Sequence, residues 1–205
     1  CFWATRYDCF ADPEEFKLGV ETIQRLLPLV EKDMPTDRQI ASLFLWSEIK
    51  GNKNLPYPYV VSFSLRPDND YMWREYAKED GIVLEIDDSV CVSVPDSPMV
   101  RLASCVYSDV ASEDKMIEML RQEYTEIGNR ILDGPQKDFS FTLQKDQPQL
   151  FVKLIAYGLL FVSAPRIKGA EDYWMEEETR AIIPLPCPEY NALIEGYVSK
   201  YLAIY

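Results

Sequence analysis

The sequence contains no histidine among its 205 residues. Without imidazole, a chain lacks the commonest general base of catalytic triads and the commonest nitrogen ligand of zinc. Composition therefore excludes hydrolases that depend on a histidine base or on His-bound metal. An all-carboxylate magnesium site is compatible with the composition, but no pattern of residues supports one.

Glycine and cysteine are sparse, and neither occurs in a functional spacing. The eight glycines are spread singly, so the phosphate loops GxGxxG and GxxxxGK and the nucleophile elbow GxSxG are absent. The five cysteines include no CxxC pair, which disfavours a zinc site and a disulfide framework. This cysteine usage is typical of a reducing compartment, so we expect a cytoplasmic protein with buried structural thiols.

Long apolar runs and excess positive charge are missing as well. The longest apolar-rich segment, 150–164, is interrupted by Lys153 and Gly158 and is shorter than the roughly 20 apolar residues of a membrane span. The formal net charge is −13, which argues against broad binding to a phosphate backbone. We therefore expect a soluble acidic protein whose partner is neither a membrane nor nucleic acid in general.

Length and residue patterning predict a single α+β domain that covers residues 1–205. The segments with strand patterns are 1–5, 59–65, 81–86, 90–94, 100–107 and part of 174–183. The segments with helix patterns are 12–31, 36–50, 69–79, 112–132 and 147–162. The tail from Pro188 fits either a helix or an edge strand over 199–205. Because strands and helices do not alternate regularly, we expect a mixed or antiparallel sheet with several packing helices.

Three separated segments carry the most distinctive polar and aromatic residues. The first contains Trp3 and the run FADPE at 10–14. The second contains SFS at 62–64, YMWREYA at 71–77, Gly81 and Glu85. The third contains Lys168 and the run YWMEEETR at 173–180.

In order and spacing, these segments resemble the bacterial family of unknown function DUF2971, from Trp3 to about Ile183. Two positions differ: Ala11 stands where the family usually has Asn, and Tyr173 rather than Trp174 has the expected spacing from Glu176. The family's opening strand is also missing, so we expect a strand to precede Cys1. The resemblance implies an α+β domain without a settled activity, in a family of which some members are associated with phage defence or mobile elements.

The third segment has the richest chemistry of the three. Side chains alternate along a strand, so a strand here would project Glu176, Glu178 and Arg180 from one face. Such a row fits a salt-bridged structural ladder. It also fits a site in which a carboxylate binds ribose hydroxyls and Arg180 orients a phosphate.

The order of the motifs also fits ADP-ribosyltransferase-like domains, which have a split sheet, an early arginine, a serine-containing strand and a late E-x-E strand. By this analogy, Glu178 would bind the ribose and stabilise an oxocarbenium-like centre, and Glu176 would activate the acceptor. NAD would be the substrate, and neither a metal nor another cofactor is implied. The residues expected to bind the ligand are Ser62, Ser64, Trp73, Tyr76 and Arg6.

A sensor or protein-interaction module in a defence or toxin–antitoxin setting is the alternative. The negative charge and the supply of tyrosine and tryptophan favour it, because an acidic surface can engage a basic partner or mimic nucleic acid. The enzyme hypothesis would be favoured by a cleft that is lined by Glu178, Arg180, Trp73 and a serine of 62–64. Carboxylates that are fully paired with cations would favour the binding module.

Overall fold

A computed structural model of the chain describes residues 2–10, 12–32, 34, 58–77, 80–87, 101–108, 113–133, 148–169, 173–183 and 201–204. The helices are α1 (Pro13–Glu31), α2 (Asp70–Met72), α3 (Glu113–Asp133) and α4 (Pro148–Ser163). The strands are β1 (Phe2–Arg6), β2 (Tyr59–Ser64), β3 (Arg101–Ser104), β4 (Val106–Tyr107), β5 (Ile167–Lys168), β6 (Glu178–Ile183) and β7 (Tyr201–Ile204). The predicted α+β class is confirmed, and one domain for the whole chain stays a prediction.

Short helical turns connect several of these elements. Three-residue or four-residue 3-10 turns cover Tyr7–Cys9, Ala164–Arg166 and Tyr173–Glu176. A π-helical turn, Trp73–Ala77, continues directly from α2. None of the helices in the described part of the chain is long and apolar enough to cross a membrane.

Five of the strands form an antiparallel sheet in the order β3-β6-β2-β1-β7. Strand β6 therefore lies between β3 and β2, and Ser62 and Ser64 of β2 pair with Arg180 and Glu178 of β6. Strand β7 is last in this order, so the edge-strand alternative for the tail is confirmed over Tyr201–Ile204. Strands β4 and β5 form a separate parallel pair.

Helix α1 begins where the sequence predicts. The Asp12 side chain accepts a hydrogen bond from the Glu14 backbone N–H at 2.9 Å, which satisfies one of the free donors of the first turn. Pro28 lies inside the helix, which continues past it to Glu31. A proline inside a helix pattern can kink the helix or end it, and Pro28 does not end this one.

Helices α1, α3 and α4 pack together into the main apolar core. Its fully buried side chains include Ile23, Leu27, Leu120, Leu159 and Leu160. A smaller cluster of Tyr7, Val60, Ala103 and Ile182, with Phe16 of α1 packed against it, joins the helices to one face of the sheet. Ala4, Tyr59 and Ile183 form a third cluster on the opposite face. Polar side chains placed between the sheet and α1 are consequently removed from water.

One predicted segment differs from the structure. The predicted strand at 81–86 is wrong, because 81–87 has no regular structure and belongs to neither sheet in the described residues. Its apolar side chains Ile82, Val83 and Leu84 are exposed. Alternating hydrophobicity produces a strand only where another strand supplies hydrogen bonds and a surface to cover it. The predicted helix 36–50 and strand 90–94 lie outside the described residues.

Gly19 of α1 allows the helix to approach the turn that follows α4. A Cβ atom on Gly19 would lie 2.3 Å from the carbonyl oxygen of Ala164, whereas one on Gly128 would lie 3.6 Å from Ile155 Cδ1. We expect Gly19→Ala to lower the free energy of unfolding by about 1–3 kcal/mol, because the backbone must move. Gly128→Ala should raise it by about 0.5–1 kcal/mol through helix propensity. Urea denaturation checks both, and equal stabilisation would contradict the close approach.

Candidate functional site: a buried ion-pair cluster

Lys168 lies between two carboxylates at the end of β5. Its Nζ donates to Glu176 Oε2 at 2.8 Å and also donates to Glu178 Oε2. The three side chains are only 4–5% exposed. A buried ammonium group is stable only when it is paired and hydrogen-bonded, and the two carboxylates meet that need.

Arg180 extends the ion pairs from Glu178 toward α1. Its Nε donates to Glu178 Oε1 at 2.6 Å, its Nη1 donates to the Pro165 carbonyl oxygen at 2.6 Å, and its Nη2 is paired with Glu15. The side chain is 2% exposed. Arg180 therefore joins the sheet, the first helix and the turn after α4 through one guanidinium group.

Two aromatic rings from the first sequence segment enclose the same guanidinium. The Arg180 Cζ atom lies 5.7 Å from the ring centre of Tyr7 and 5.5 Å from that of Phe10, within the range of cation–π attraction. The Tyr7 hydroxyl accepts from Arg180 Nη1 at 3.4 Å. Burial raises the pKa of Tyr7 above its ordinary value, so the phenol is neutral and Arg180 keeps its charge.

The second segment reaches the cluster through Tyr76. The Tyr76 hydroxyl donates to Glu176 Oε1 at 2.6 Å, although 63% of the Tyr76 side chain is exposed. The π-helical turn sets the direction of Tyr76, and such turns are frequent at functional sites. Burial of the hydroxyl and the bond to Glu176 raise the pKa of Tyr76. We call the side chains of Glu15, Lys168, Glu176, Glu178 and Arg180 the ion cluster, and Tyr76 connects it to the surface.

The serines and Trp73 take structural positions beside the ion cluster. Ser64 Oγ donates to the Glu176 carbonyl oxygen at 2.9 Å, and Trp73 Nε1 donates to the Pro67 carbonyl oxygen at 3.0 Å. Ser62 is exposed, although its backbone pairs with Arg180. Of the residues expected to bind a ligand, Tyr76 bonds through its side chain to a charged group of the ion cluster.

Arg6 lies on the opposite face of the sheet from Glu178 and Arg180. It pairs with Tyr59, which pairs in turn with Ile183, and these three residues share one face of the sheet. Glu178 and Arg180 project from the other face, because side chains alternate along β6. The role of Arg6 as the early arginine of the site stays a prediction, and the positive charge of the ion cluster comes from Arg180 and Lys168.

Glu176 also differs from its predicted setting. It ends the 3-10 turn Tyr173–Glu176, whereas β6 begins at Glu178. Between them, Glu177 has a φ of 46°, in the left-handed region that few non-glycine residues adopt. The prediction of three residues on one strand face is thus correct for Glu178 and Arg180 only. The left-handed backbone at Glu177 nevertheless leaves the Glu176 carboxylate beside Lys168.

Charge pairing determines the protonation of the cluster. Burial alone would raise the pKa of Glu178, but the charge and hydrogen bonds of Arg180, and then those of Lys168, lower it to about 2. Burial alone would lower the pKa of Lys168, but Glu178 and the hydrogen bonds to both carboxylates raise it overall. Glu178 is consequently an anion and Lys168 a cation at neutral pH.

Two further groups lie close to Glu178. The Tyr107 hydroxyl accepts from the Glu178 backbone N–H at 3.1 Å, and burial raises the pKa of Tyr107 to about 12. The Cys105 backbone N–H donates to the Glu178 carbonyl oxygen at 2.9 Å. Burial raises the pKa of the Cys105 thiol to about 12, so it is protonated at neutral pH and is a poor nucleophile.

A second set of buried ion pairs fastens α3 to the sheet. Glu123 Oε1 accepts from Arg101 Nη2 at 2.7 Å and from Arg166 Nη1 at 2.5 Å. Arg166 Nε also donates to the Ser104 carbonyl oxygen at 3.1 Å. Ser104 adjoins Cys105, so both sets of ion pairs hold the same part of the β3–β4 segment.

Two members of the ion cluster, Lys168 and Glu15, are not among the site residues that the sequence predicts. Lys168 belongs to the third segment, and its place in the same segment as Glu176 and Glu178 is the signal that could have identified it. Glu15 and Tyr7 have no such signal. Their contact with Arg180 depends on tertiary packing, for which a single sequence contains no local signal.

The arrangement leaves little free binding capacity on the two motif carboxylates. Both oxygens of Glu176 and of Glu178 accept hydrogen bonds from Tyr76, Lys168 or Arg180. Among the described residues, no group of three carboxylate or thiol side chains is placed to hold a metal ion. Comparison of the chain with protein-family models, with curated proteins and with solved structures gave no significant match in any of the three.

Proposed function

We propose that the chain is a DUF2971-like binding module and that its ion cluster is an internal scaffold. The single observation that carries this proposal is the saturation of the motif carboxylates. Each oxygen of Glu176 and Glu178 already accepts from a partner in the chain, and both side chains are 5% exposed. A ligand would have to displace a partner in the chain to reach either carboxylate, Tyr76 or Lys168 at Glu176 and Lys168 or Arg180 at Glu178.

Energetics support a scaffold role. Removing a charge from water costs several kcal/mol per ion, and only near-ideal pairing offsets that cost. In the ion cluster, Lys168 and Arg180 are shared among three carboxylates, and backbone and tyrosine oxygens take further donors. Glu178 is ionised at neutral pH and so has no proton to give as a general acid. The same cluster ties β6, β5, α1 and the turn after α4 together.

A second candidate function is NAD-dependent ADP-ribosyl transfer. Its support is the adjacency of β2 and β6, in which Ser62 and Ser64 pair with Arg180 and Glu178, together with the meeting of all three motif segments. In this candidate, Glu176 is the carboxylate that a ribose hydroxyl reaches after replacing Tyr76. Glu178 and Arg180 would then position Glu176 through Lys168.

Incubation with labelled NAD separates the two candidates. The binding module is expected to release no nicotinamide and to label no acceptor, in the wild type and in Glu178→Gln alike. Ser62→Ala is the matched variant, because Ser62 is exposed and its loss should leave the free energy of unfolding unchanged within about 0.5 kcal/mol. Thermal melts of each variant establish that it is folded before the assay.

The opposite outcome is equally clear. Turnover of NAD by the wild type, lost in folded Ser62→Ala or in folded Glu176→Gln, would overturn the binding module and establish the enzyme. In either case, the cysteine usage suggests a cytoplasmic setting, and the resemblance suggests a role in bacterial defence. The proposed partner of the binding module is another protein, and that of the enzyme is a nucleotide.

A further inference from the structure

The described residues expose seven large hydrophobic side chains, and six of them occur on three adjoining segments, 65–77, 80–87 and 174–177. These six are Leu65, Tyr76, Ile82, Val83, Leu84 and Trp174, with exposed fractions from 47% to 81%. We call them the apolar surface. The seventh, Leu29, lies in α1.

Contacts between the segments establish that they are neighbours. The Leu65 backbone N–H donates to the Glu177 carbonyl oxygen at 3.1 Å, and Trp174 lies in the turn that ends at Glu176. Tyr76 is bonded to that same Glu176. A Cβ on Gly81 would lie 2.1 Å from Ala77 Cβ, so the segment 81–87 starts directly against the π-helical turn.

The charge around the apolar surface is predominantly negative. Residues 65–77, 80–87 and 174–177 contain two cations, Arg66 and Arg74. With the buried Glu176 left out, the same residues contain seven carboxylates: Asp68, Asp70, Glu75, Asp80, Glu85, Asp87 and Glu177. The local formal charge is therefore 2 − 7 = −5. A partner that covers this surface gains from apolar burial and from positive charge together.

The composition of 81–87 indicates the form of the partner. The run Ile82-Val83-Leu84 has strand-forming residues, yet 81–87 belongs to neither sheet among the described residues. These three consecutive apolar side chains are exposed, and soluble proteins rarely leave such a run in water. An added strand would pair with the backbone here and cover these side chains, as in β-augmentation.

We infer that the apolar surface docks an extended partner segment in which apolar residues alternate with lysine or arginine. This inference rests on the proposed binding function and gives it a location and a partner class. Nucleic acid does not fit the surface, because seven carboxylates repel phosphate. The partner segment pairs along 82–86 and directs its cations toward the surrounding carboxylates.

The probe is a fluorescein-labelled peptide of sequence KVKVKVK, measured by fluorescence anisotropy at physiological salt. The control peptide has the same composition with its three valines contiguous. We expect the alternating peptide to bind the wild type at least tenfold more tightly than the control peptide. The double variant Ile82→Ser/Leu84→Ser should weaken that binding at least tenfold. Leu29→Ser is the matched control, because Leu29 is exposed outside the apolar surface, and it should leave binding unchanged.

Three results would overturn the inference. They are absence of binding, equal binding of the two peptides, and equal binding by the wild type and the double variant. The last two would mean that attraction to the net charge of −13 is sufficient, and they would leave the proposed binding function standing at another surface. Turnover of NAD would remove the proposed function without deciding the peptide result, so the two failures are distinguishable.

Discussion

Replacement of Arg180 by methionine should lower the free energy of unfolding by about 3–5 kcal/mol, the usual cost of leaving a buried charge without its partner. Methionine fills similar space but cannot donate to Glu178 and the Pro165 carbonyl oxygen, and it cannot form the ion pair with Glu15. The three oxygen groups would then face an apolar side chain. Urea denaturation followed by circular dichroism measures the loss.

Arg25→Met is the control for the loss of an arginine ion pair. Arg25 bonds to Glu113, but both side chains are more than half exposed, and water competes for the pair. Replacement of Arg25 should lower the free energy of unfolding by less than about 1 kcal/mol. Similar losses in the two variants would contradict the burial and the shared bonding that we assign to Arg180.

The stability of the wild type should fall steeply in acid because of Glu178. Its pKa is about 2 in the folded chain, compared with 4.5 for an ordinary glutamate. A carboxyl with a lowered folded pKa stabilises the fold above its unfolded pKa and loses that effect as pH falls toward the folded pKa. Between pH 4.5 and pH 2, this one group should lower the free energy of unfolding by about 3 kcal/mol. Lys168 has no part in this range, since its raised pKa makes its contribution disappear only in strong alkali.

The measurement is the difference in free energy of unfolding between the wild type and Glu178→Gln at several pH values. We expect that difference to shrink by about 2 kcal/mol between pH 6 and pH 3, because Glu178 of the unfolded wild type takes up a proton in this range while the folded wild type keeps it ionised, and the variant has no such group. Glu118→Gln is the control, since Glu118 pairs with Arg121 at the exposed surface of α3. A constant difference for Glu178→Gln would mean that Glu178 has an ordinary pKa, and the pairing with Arg180 would be refuted.

The sequence alone predicts those elements that are determined by local signals. Asp12 and Pro13 mark the start of α1, and the helix pattern of 112–132 matches α3 at Glu113–Asp133 within one residue at each end. These signals act over one or two helical turns and need no knowledge of the partner. Strand β2 is similarly predicted from its alternation and its β-branched residues.

Features that depend on pairing between distant segments could not be predicted from the sequence. Arg6 was assigned to the site, but its face of the sheet is determined by its register with Tyr59 and, through it, with β6. A shift of one residue would reverse that face, and no local signal reports it. The 81–86 pattern is that of a strand, but a strand requires a partner at its edge.

The candidate site was predicted in part. The motif pointed to Glu176, Glu178 and Tyr76, which meet through Lys168 and a phenolic hydrogen bond. It did not indicate whether the carboxylates are open or saturated. That distinction depends on the donors Tyr76, Lys168 and Arg180, which tertiary packing brings to the carboxylates.

A double-mutant cycle of Arg180→Met and Glu178→Gln tests the scaffold role of the ion cluster most directly. The cycle isolates the coupling between the two side chains from the effects that each replacement has on its other neighbours. A structural pair that is buried and doubly hydrogen-bonded should give a coupling free energy of about 2–3 kcal/mol in urea denaturation. A coupling below about 0.5 kcal/mol would mean that the two groups do not stabilise each other in the folded protein, and the scaffold account would be wrong.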